Sequence, residues 1–314
     1  MIVPAALNNK FSRRLLGFLL YSLSSRSETA LFADLLLRRE AELWRTSRPR
    51  FHSVEECENV LLSETSDAAA WRCCPFWQRK LSNKLNSKRF ASRYGVTVAQ
   101  TYWEGRDPEA MPFSSFPDAY VVKTSIGWCA RQVLPVICGR NAFTGREMSH
   151  VLIMNHFRQI MSHEPYSSAH LIVEELVGSD SREAIPKDYK CYCFGGKVRF
   201  IQVVNRLKRE QRWYEPNWHA VRDQMHLAFN YAPAEPAPAS LVELIRCADL
   251  LSTAYEYPFV RVDMYCGSRC GVFGEFTHAP CAGATRNLYT PYANRVLGGL
   301  WKAALEAATE GGGA

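Results

Sequence analysis

The stretch PFVRVDMYCGSRCGVFGEF, residues 258–276, contains two apolar runs on either side of a glycine-containing turn. This pattern is typical of a buried β-hairpin, yet two lone acids, Asp263 and Glu275, interrupt it. A five-residue loop over residues 267–271 would place both acids side by side on one face, whereas a two-residue turn would send Glu275 to the other face. The sequence alone leaves both turns open.

Opposed carboxylates at partly buried positions repel each other, and either protonation or a cation must relieve that repulsion. Mg²⁺ favours carboxylate and phosphate oxygens over nitrogen or sulfur ligands. The five-residue loop therefore predicts a magnesium site at Asp263 and Glu275.

A second hairpin is predicted by KDYKCYCFGGKVRFIQVVNR, in which two alternating runs flank Gly195 and Gly196. A tight turn at these glycines pairs Phe194 with Lys197. One face then carries five side chains, namely Asp188, Lys190, Tyr192, Lys197 and Arg199. Three basic groups on one face suit a polyphosphate, and an outer sheet face in contact with water would have the same composition.

Two more predicted strands end in charged residues. YVVKTS is a compact apolar strand that ends near Lys123, and SAHLIVEEL runs directly into Glu174 and Glu175. A strand-end lysine commonly just reaches solvent, so ligand binding is one of two interpretations of Lys123. Adjacent acids point to opposite faces of a strand, so at most one of them faces a given pocket, and the backbone there could bind the edge of a flat base.

The segments LIVEEL, PKDYKCYCFGGKVRFIQV and PFVRVDMY with VFGEFTHAP together resemble the ATP-grasp superfamily, in particular the branch related to the teichuronopeptide-synthesis (TupA-like) proteins. The resemblance covers residues 81–300, and it implies an α+β fold in which two α+β lobes clamp ATP. Residues 1–80 would form an N-terminal helical extension, residues 81–176 the N-terminal lobe, and residues 177–314 the C-terminal lobe with the Mg-binding hairpin.

The resemblance also implies a role for each candidate site residue. Asp263 and Glu275 would bind Mg²⁺, while Arg261 and Lys190 would be catalytic, with Arg261 neutralising an acyl-phosphate. The implied nucleotide-binding residues are Lys123 and Lys190 at the phosphates, Asp188 near the ribose or triphosphate, and Glu174, Glu175 and Leu176 at the hinge that meets adenine.

Two departures from the family pattern indicate a diverged substrate or a weakened site. Many superfamily members end the metal-binding strand with Glu-x-Asn, whereas this chain has Thr277 in the asparagine position. The loop KTSIGWCARQV has only one glycine, Gly127, where the branch is glycine-rich. Trp128 and Arg131 would therefore reshape the backbone that closes over the phosphates.

The activity implied by the resemblance is that of an ATP- and Mg²⁺-dependent ligase. Such an enzyme activates a carboxylate as an acyl-phosphate and joins it to an amine, and the implied substrates are an amino acid and a sugar or glycan intermediate. Two alternatives stay open: a kinase that phosphorylates a hydroxyl, and a non-catalytic ATP-binding or scaffold protein.

Composition narrows the function classes further. The 314 residues carry a net charge of +7, and the basic residues are spread among acids, so nucleic-acid binding is not indicated. Eleven irregularly spaced cysteines predict reduced thiols and a cytoplasmic location, and none has the paired spacing of a zinc site.

The apolar run at residues 15–23 resembles a signal peptide but lacks a small-residue cleavage site. The run is also too short to span a bilayer. Because the apolar residues continue at helical spacing, residues 12–46 are predicted to form amphipathic helices.

Overall fold

The structure is a computed structural model that describes residues 31–45, 60–73, 77–127, 132–164, 166–178, 185–267, 270–283 and 288–311. The predicted helical segment before residue 31 lies outside these described residues, as do Trp128 and Arg131.

Helices and strands alternate irregularly along the chain. The helices of the described residues are α1 (Phe32–Arg45), α2 (Ala68–Trp71), α3 (Lys84–Arg93), α4 (His150–Met161), α5 (Leu241–Ala254) and α6 (Pro291–Gly311). The strands are β1 (Thr101–Gly105), β2 (Ala119–Thr124), β3 (Val133–Ile137), β4 (Arg140–Asn141), β5 (Leu171–Glu175), β6 (Asp188–Phe194), β7 (Lys197–Asn205), β8 (Glu210–Tyr214), β9 (Asn230–Tyr231), β10 (Phe259–Cys266) and β11 (Gly271–Thr277). Short 3₁₀ turns lie at Trp77–Ser82, Pro108–Ala110, Phe113–Ser115, Tyr166–Ser168 and Pro280–Gly283.

The first sheet is antiparallel and has five strands in the order β1-β5-β2-β3-β4. Helix α4 covers one face, where Ile153 and Phe157 pack against apolar residues of β2, β3 and β5. The helix begins at Ser149, whose hydroxyl accepts a hydrogen bond from the backbone N–H of Leu152, a typical N-cap. The opposite face of this sheet is left to line a cleft.

The second sheet has six strands in the order β11-β10-β6-β7-β8-β9, and only β9 runs parallel to its neighbour. It is buried on both faces. On one face α5 and α3 cover the cysteines and valines of β6, β7 and β10. On the other face α1 and α6 cover an aromatic core that includes Phe32, Tyr192, Phe259 and Trp301.

Helix α3 belongs physically to the second sheet. Its residues Phe90 and Ala91 lie in the same core as β6 and β10, and the neighbouring Trp77 does too. Helix α1, from the predicted N-terminal extension, packs into the aromatic core on the other face. The predicted division at residue 81 therefore does not coincide with a division between cores.

The β6–β7 hairpin departs from the predicted register. Phe194 pairs with Lys197 as predicted, but a register shift between Tyr192 and Cys193 pairs Tyr192 with Phe200 and leaves Arg199 as an extra residue. Lys197 binds Asp249 of α5 through an exposed ion pair. The predicted face with three basic groups does not form, because the bulge removes Arg199 and the helix engages Lys197.

The β10–β11 hairpin has a four-residue loop, because Cys266 pairs with Gly271, so the predicted five-residue loop is wrong. The predicted pairing of Asp263 with Glu275 is nevertheless confirmed. Met264 pairs with Phe273, so Gly274 is an extra residue that shifts the register by one before Glu275. The four-residue loop and the one-residue bulge together give the pairing that a five-residue loop without a bulge would give.

Among the described residues, no helix combines the length and the apolar character needed to cross a bilayer. Eight cysteines lie in the described part of the chain, and each is free of a disulfide bond.

Candidate active site

A cleft lies between the two sheets, bounded by β2, β3 and β5 on one side and by β6, β7, β10 and β11 on the other. It contains about 1050 Å³ of empty space, open solvent included. Its charged lining residues are Lys84, Lys88, Lys123, Glu174, Glu175, Asp188, Arg206 and Glu275. Apolar side chains, including Leu176, Val177 and Ile185, line the rest.

Glu174 is held between two lysines at the end of β5. Its Oε1 binds Nζ of Lys123 and its Oε2 lies 2.8 Å from Nζ of Lys88. Lys88 also donates to Thr101 Oγ1 at 2.7 Å. Burial disfavours the charged carboxylate, but the two lysines outweigh it and keep the pKa of Glu174 below its ordinary value. Burial and the nearby charge of Lys123 lower the pKa of Lys88.

The chain that follows β5 offers backbone groups to the cleft. The N–H of Glu175 donates to the carbonyl of Gln100 at 2.8 Å, so this donor is already used. Leu176 and Val177 line the cleft and make no backbone hydrogen bond to other described residues. An unpaired edge beside apolar side chains is suited to a flat, polar-edged base.

A chain of alternating charges runs from the cleft along the second sheet. Arg206 binds Asp188 at 2.6 Å, and Lys190 lies 3.2 Å from the same carboxylate oxygen. Lys190 also binds Asp263 at 2.7 Å. Arg261 holds Asp263 with two hydrogen bonds of 2.6 and 2.7 Å. These side chains occupy neighbouring strands because Lys190 pairs with Asp263 across β6 and β10.

Asp263 is buried and fully paired in this arrangement. Burial alone would favour its neutral form, but the charges of Arg261 and Lys190 outweigh burial and hold the pKa of Asp263 below its ordinary value. The carboxylate is therefore ionised at neutral pH. A planar guanidinium that binds both carboxylate oxygens also fixes the orientation of the acid.

Glu275 differs from Asp263, since its carboxylate lines the cleft and makes no hydrogen bond or ion pair to any described residue. No three His, Cys, Asp or Glu side chains of the described residues are grouped closely enough to hold a metal by themselves. Mg²⁺ commonly binds through one or two carboxylates and completes its shell with water and substrate phosphates. The unpaired carboxylate of Glu275 fits that mode, whereas both oxygens of Asp263 already bind Arg261 and Lys190.

Thr277 occupies the last position of the acidic strand. It pairs with Arg261 across β10 and β11, and its Oγ1 accepts a hydrogen bond of 2.9 Å from Nη2 of Arg261. The hydroxyl is thus part of the support of Arg261, which in turn orients Asp263. Thr277, which stands where the usual asparagine ligand was expected, therefore contacts Arg261.

The structure brings most of the predicted site residues to one cleft. Lys123, Glu174, Glu175, Leu176, Asp188 and Glu275 line it. Lys190, Asp263 and Arg261 lie next to it, joined to Asp188 through the ion-pair chain.

Sequence reasoning missed four residues that also line the cleft: Lys84, Lys88, Arg206 and Tyr265. Lys84 and Lys88 are four residues apart on α3, so they share one helix face, and this spacing was a usable signal. Lys84 Nζ donates to the carbonyl of Gly127 at 2.9 Å and so connects α3 to the loop after β2. Burial raises the pKa of Tyr265 well above its ordinary value, and the charge of Asp188 adds to this effect.

A family model described as TupA-like ATPgrasp matches residues 76–301, which is most of the chain. The chain therefore belongs to the TupA-like ATP-grasp family, and the predicted α+β ATP-grasp fold is confirmed. No curated protein sequence matches it.

Solved structures with similar folds are distant in sequence. A D-alanine-D-alanine ligase from Bacillus anthracis has a TM-score of 0.47 and 17% identity, with 73% of this chain and 66% of that chain covered. D-cycloserine synthetase DcsG has a TM-score of 0.45 and 14% identity, with 83% and 81% covered. The ATP-grasp ligase PsnB, complexed with a phosphomimetic variant of its minimal precursor, Mg and ADP, has a TM-score of 0.41 and 15% identity, with 72% and 58% covered. The chain thus spans less than two thirds of the Bacillus anthracis ligase and of PsnB.

Proposed function

We propose that the chain is an ATP- and Mg²⁺-dependent ligase that activates a carboxylate as an acyl-phosphate and joins it to an amine. The observation that carries the proposal is the cleft between the sheets in a member of the TupA-like ATP-grasp family. This cleft contains the unpaired edge at Leu176, several lysines and the unpaired Glu275. An amino acid and a sugar or glycan intermediate are the proposed substrates.

Each part of the cleft has a distinct task in this proposal. Leu176, which follows Glu174 and Glu175 at the end of β5, meets the adenine, while Lys123 contacts the phosphates. Asp188 lies near the ribose or triphosphate, and Lys190 contacts phosphate. Fixed cations aimed at developing negative charge stabilise a phosphoryl-transfer transition state without reorganising, because the protein already holds them in place.

Asp263 and Glu275 would hold the magnesium ion, whose chemistry is to neutralise charge on the phosphates. Because Lys190 and Arg261 both bind Asp263, both cations lie beside the proposed metal position. Arg261 is the candidate for neutralising the acyl-phosphate, because its guanidinium is held in place by Asp263 and Thr277. Most of the remaining catalysis is positioning.

The test is an assay of ADP release with Mg·ATP and a panel of amino acids and amino sugars, followed by mass spectrometry of the products. ADP together with a new amide supports the ligase. ADP with a phosphorylated alcohol would instead show a kinase, which uses the same apparatus. Nucleotide binding without turnover on any substrate would show a non-catalytic binding protein. A cytoplasmic location remains a prediction from cysteine usage alone.

A further inference from the structure

Tyr265 connects two parts of the cleft that the proposed function uses separately. It follows Asp263 by two residues on β10, and its ring packs in a small cluster with Val177, directly beyond the base-binding edge. The ring also lies near Gly274, the residue before Glu275. A Cβ added to Gly274 would lie 3.0 Å from Cε2 of Tyr265, so glycine provides the room for this contact.

The hydroxyl of Tyr265 makes no hydrogen bond to any described residue, although the side chain lines the cleft. Other inward-facing tyrosines differ, since Tyr192 and Tyr289 bind each other at 2.8 Å and Tyr255 binds His278. A partly buried hydroxyl without a protein partner is costly unless a ligand or water binds it. The charged groups whose fields act on this hydroxyl are Asp188, Arg206, Glu275 and Glu174.

The order of groups in a nucleotide indicates which part of it would lie near the Tyr265 hydroxyl. In an adenine nucleotide the ribose lies between the base and the phosphates. The base-binding edge at Leu176 and Val177 and the charged groups at Asp188 and Glu275 define the two ends of the nucleotide in the proposed site. Tyr265 packs against the first region and lies beside the second.

We infer that the Tyr265 hydroxyl binds a ribose hydroxyl of the adenine nucleotide and makes the site prefer ribonucleotides to deoxyribonucleotides. The inference rests on the proposed nucleotide site. The packing of the ring against Val177 and its closeness to Gly274 would hold the phenol in place before the ligand binds, which reduces the entropy lost on binding.

The experiment compares wild-type protein with Tyr265→Phe, which removes only the hydroxyl. Dissociation constants for ADP, 2′-deoxyADP and 3′-deoxyADP are measured by calorimetry with Mg²⁺ present, so that no turnover interferes. We expect Tyr265→Phe to weaken ADP binding by about three- to tenfold, the range for one hydrogen bond. At least one deoxynucleotide should bind the two proteins equally. Tyr292→Phe, a substitution at a 40% exposed tyrosine on α6, is the matched control and should change nothing.

The outcomes separate this inference from the proposed function. If the wild-type protein binds no adenine nucleotide, both fail. If it binds ADP and Tyr265→Phe weakens all three nucleotides equally, the hydroxyl contacts a phosphate and the ribose inference is wrong. If Tyr265→Phe leaves all three constants unchanged, the inference is also wrong while the nucleotide site stands. Thermal melting of each variant confirms that it is folded.

Discussion

Asp263 on β10 is the direct partner of Glu275 on β11, and the extra residue Gly274 produces this pairing. Without the bulge, the four-residue loop would pair Asp263 with Gly274 and turn the side chain of Glu275 to the other face of the sheet. The cleft and the ion-pair chain would then lack their facing acid. A single glycine therefore determines whether two carboxylates meet.

Replacing Gly274 by alanine tests this dependence. The new Cβ would lie 3.0 Å from the Tyr265 ring and 3.1 Å from the carbonyl oxygen of Asp263, so both neighbours must move. We expect the free energy of unfolding to fall by about 1 to 3 kcal/mol, the usual cost of overpacking, and nucleotide binding to weaken. Gly299→Ala is the control, because nothing lies within 4 Å of its added Cβ on α6. Equal urea-unfolding midpoints for both variants would contradict the prediction.

Glu275→Gln keeps the shape of the side chain and removes its charge. Because Glu275 has no partner among the described residues, we expect no loss of unfolding free energy beyond about 0.5 kcal/mol. Turnover with Mg·ATP should fall by about 100-fold or more, since the carboxylate that would hold Mg²⁺ in the proposed mechanism is lost. The check is ADP release as a function of Mg²⁺ concentration. Unimpaired turnover would overturn the metal assignment.

The two hairpins show what the sequence could and could not predict. Alternation and glycine placement predicted both hairpins and the pairing of Phe194 with Lys197. Neither bulge was predicted, because a bulge depends on how the strand packs against its neighbours rather than on turn chemistry. In one hairpin the missed bulge at Arg199 removed a predicted cationic face. In the other, the bulge at Gly274 compensated for a wrong loop length.

Long-range contacts account for the features of the site that the sequence did not predict. The segment ending in Glu174 and Glu175 was predicted as a strand that meets a ligand, but its role in holding two lysines was not. Lys88 lies 86 residues before Glu174, and no local pattern links them. Arg206 likewise lies at the end of β7 and meets Asp188 only after the strands pair. A single sequence indicates which residues carry charge, and tertiary packing decides which charges meet.

Lys123→Ala removes one of the two cations on Glu174. We expect adenine nucleotide affinity to fall about tenfold or more, because a charge-assisted contact to phosphate is lost. The free energy of unfolding should fall by less than the about 3 to 5 kcal/mol typical of a broken buried ion pair, since Lys88 still binds Glu174. Calorimetry with ADP and urea unfolding measure the two effects. The control is Lys197→Ala, which removes an exposed ion pair with Asp249 and should change neither ADP affinity nor the free energy of unfolding. If Lys123→Ala bound ADP as tightly as the wild type, the proposed role of Lys123 would be wrong.

The stability difference between the wild type and Glu174→Gln should depend on pH in a defined way. The pKa of Glu174 is below its ordinary value because the two lysines outweigh burial. A depressed carboxyl pKa stabilises the fold above the unfolded-state pKa, about 4.3, and this contribution is lost as pH falls through the folded-state pKa. Relative to the wild type, Glu174→Gln should therefore lose about 2 kcal/mol or more at pH 7 and progressively less below pH 4.

The control for this effect is the adjacent Glu175→Gln. Glu175 accepts one hydrogen bond, from the backbone N–H of Gln100 at 3.1 Å, and pairs with no lysine among the described residues. Its substitution should shift the urea midpoint little at any pH. A stability difference between Glu174→Gln and wild type that stays constant from pH 7 to pH 3 would show that the lysine pairing is not its cause.

Thr277→Asn tests whether two acids are enough for the metal. Glu-x-Asn, the strand ending that the resemblance to the superfamily implies, would place an asparagine here, and an amide oxygen is a hard ligand that Mg²⁺ accepts. If Asp263 and Glu275 form an incomplete set, the added oxygen should lower the Mg²⁺ concentration for half-maximal ADP release by several-fold. Thr277→Val, which removes the hydroxyl bound by Arg261 and adds no ligand, should not lower it. An unchanged Mg²⁺ requirement in Thr277→Asn would mean that the two carboxylates, with water and phosphate, already complete the site.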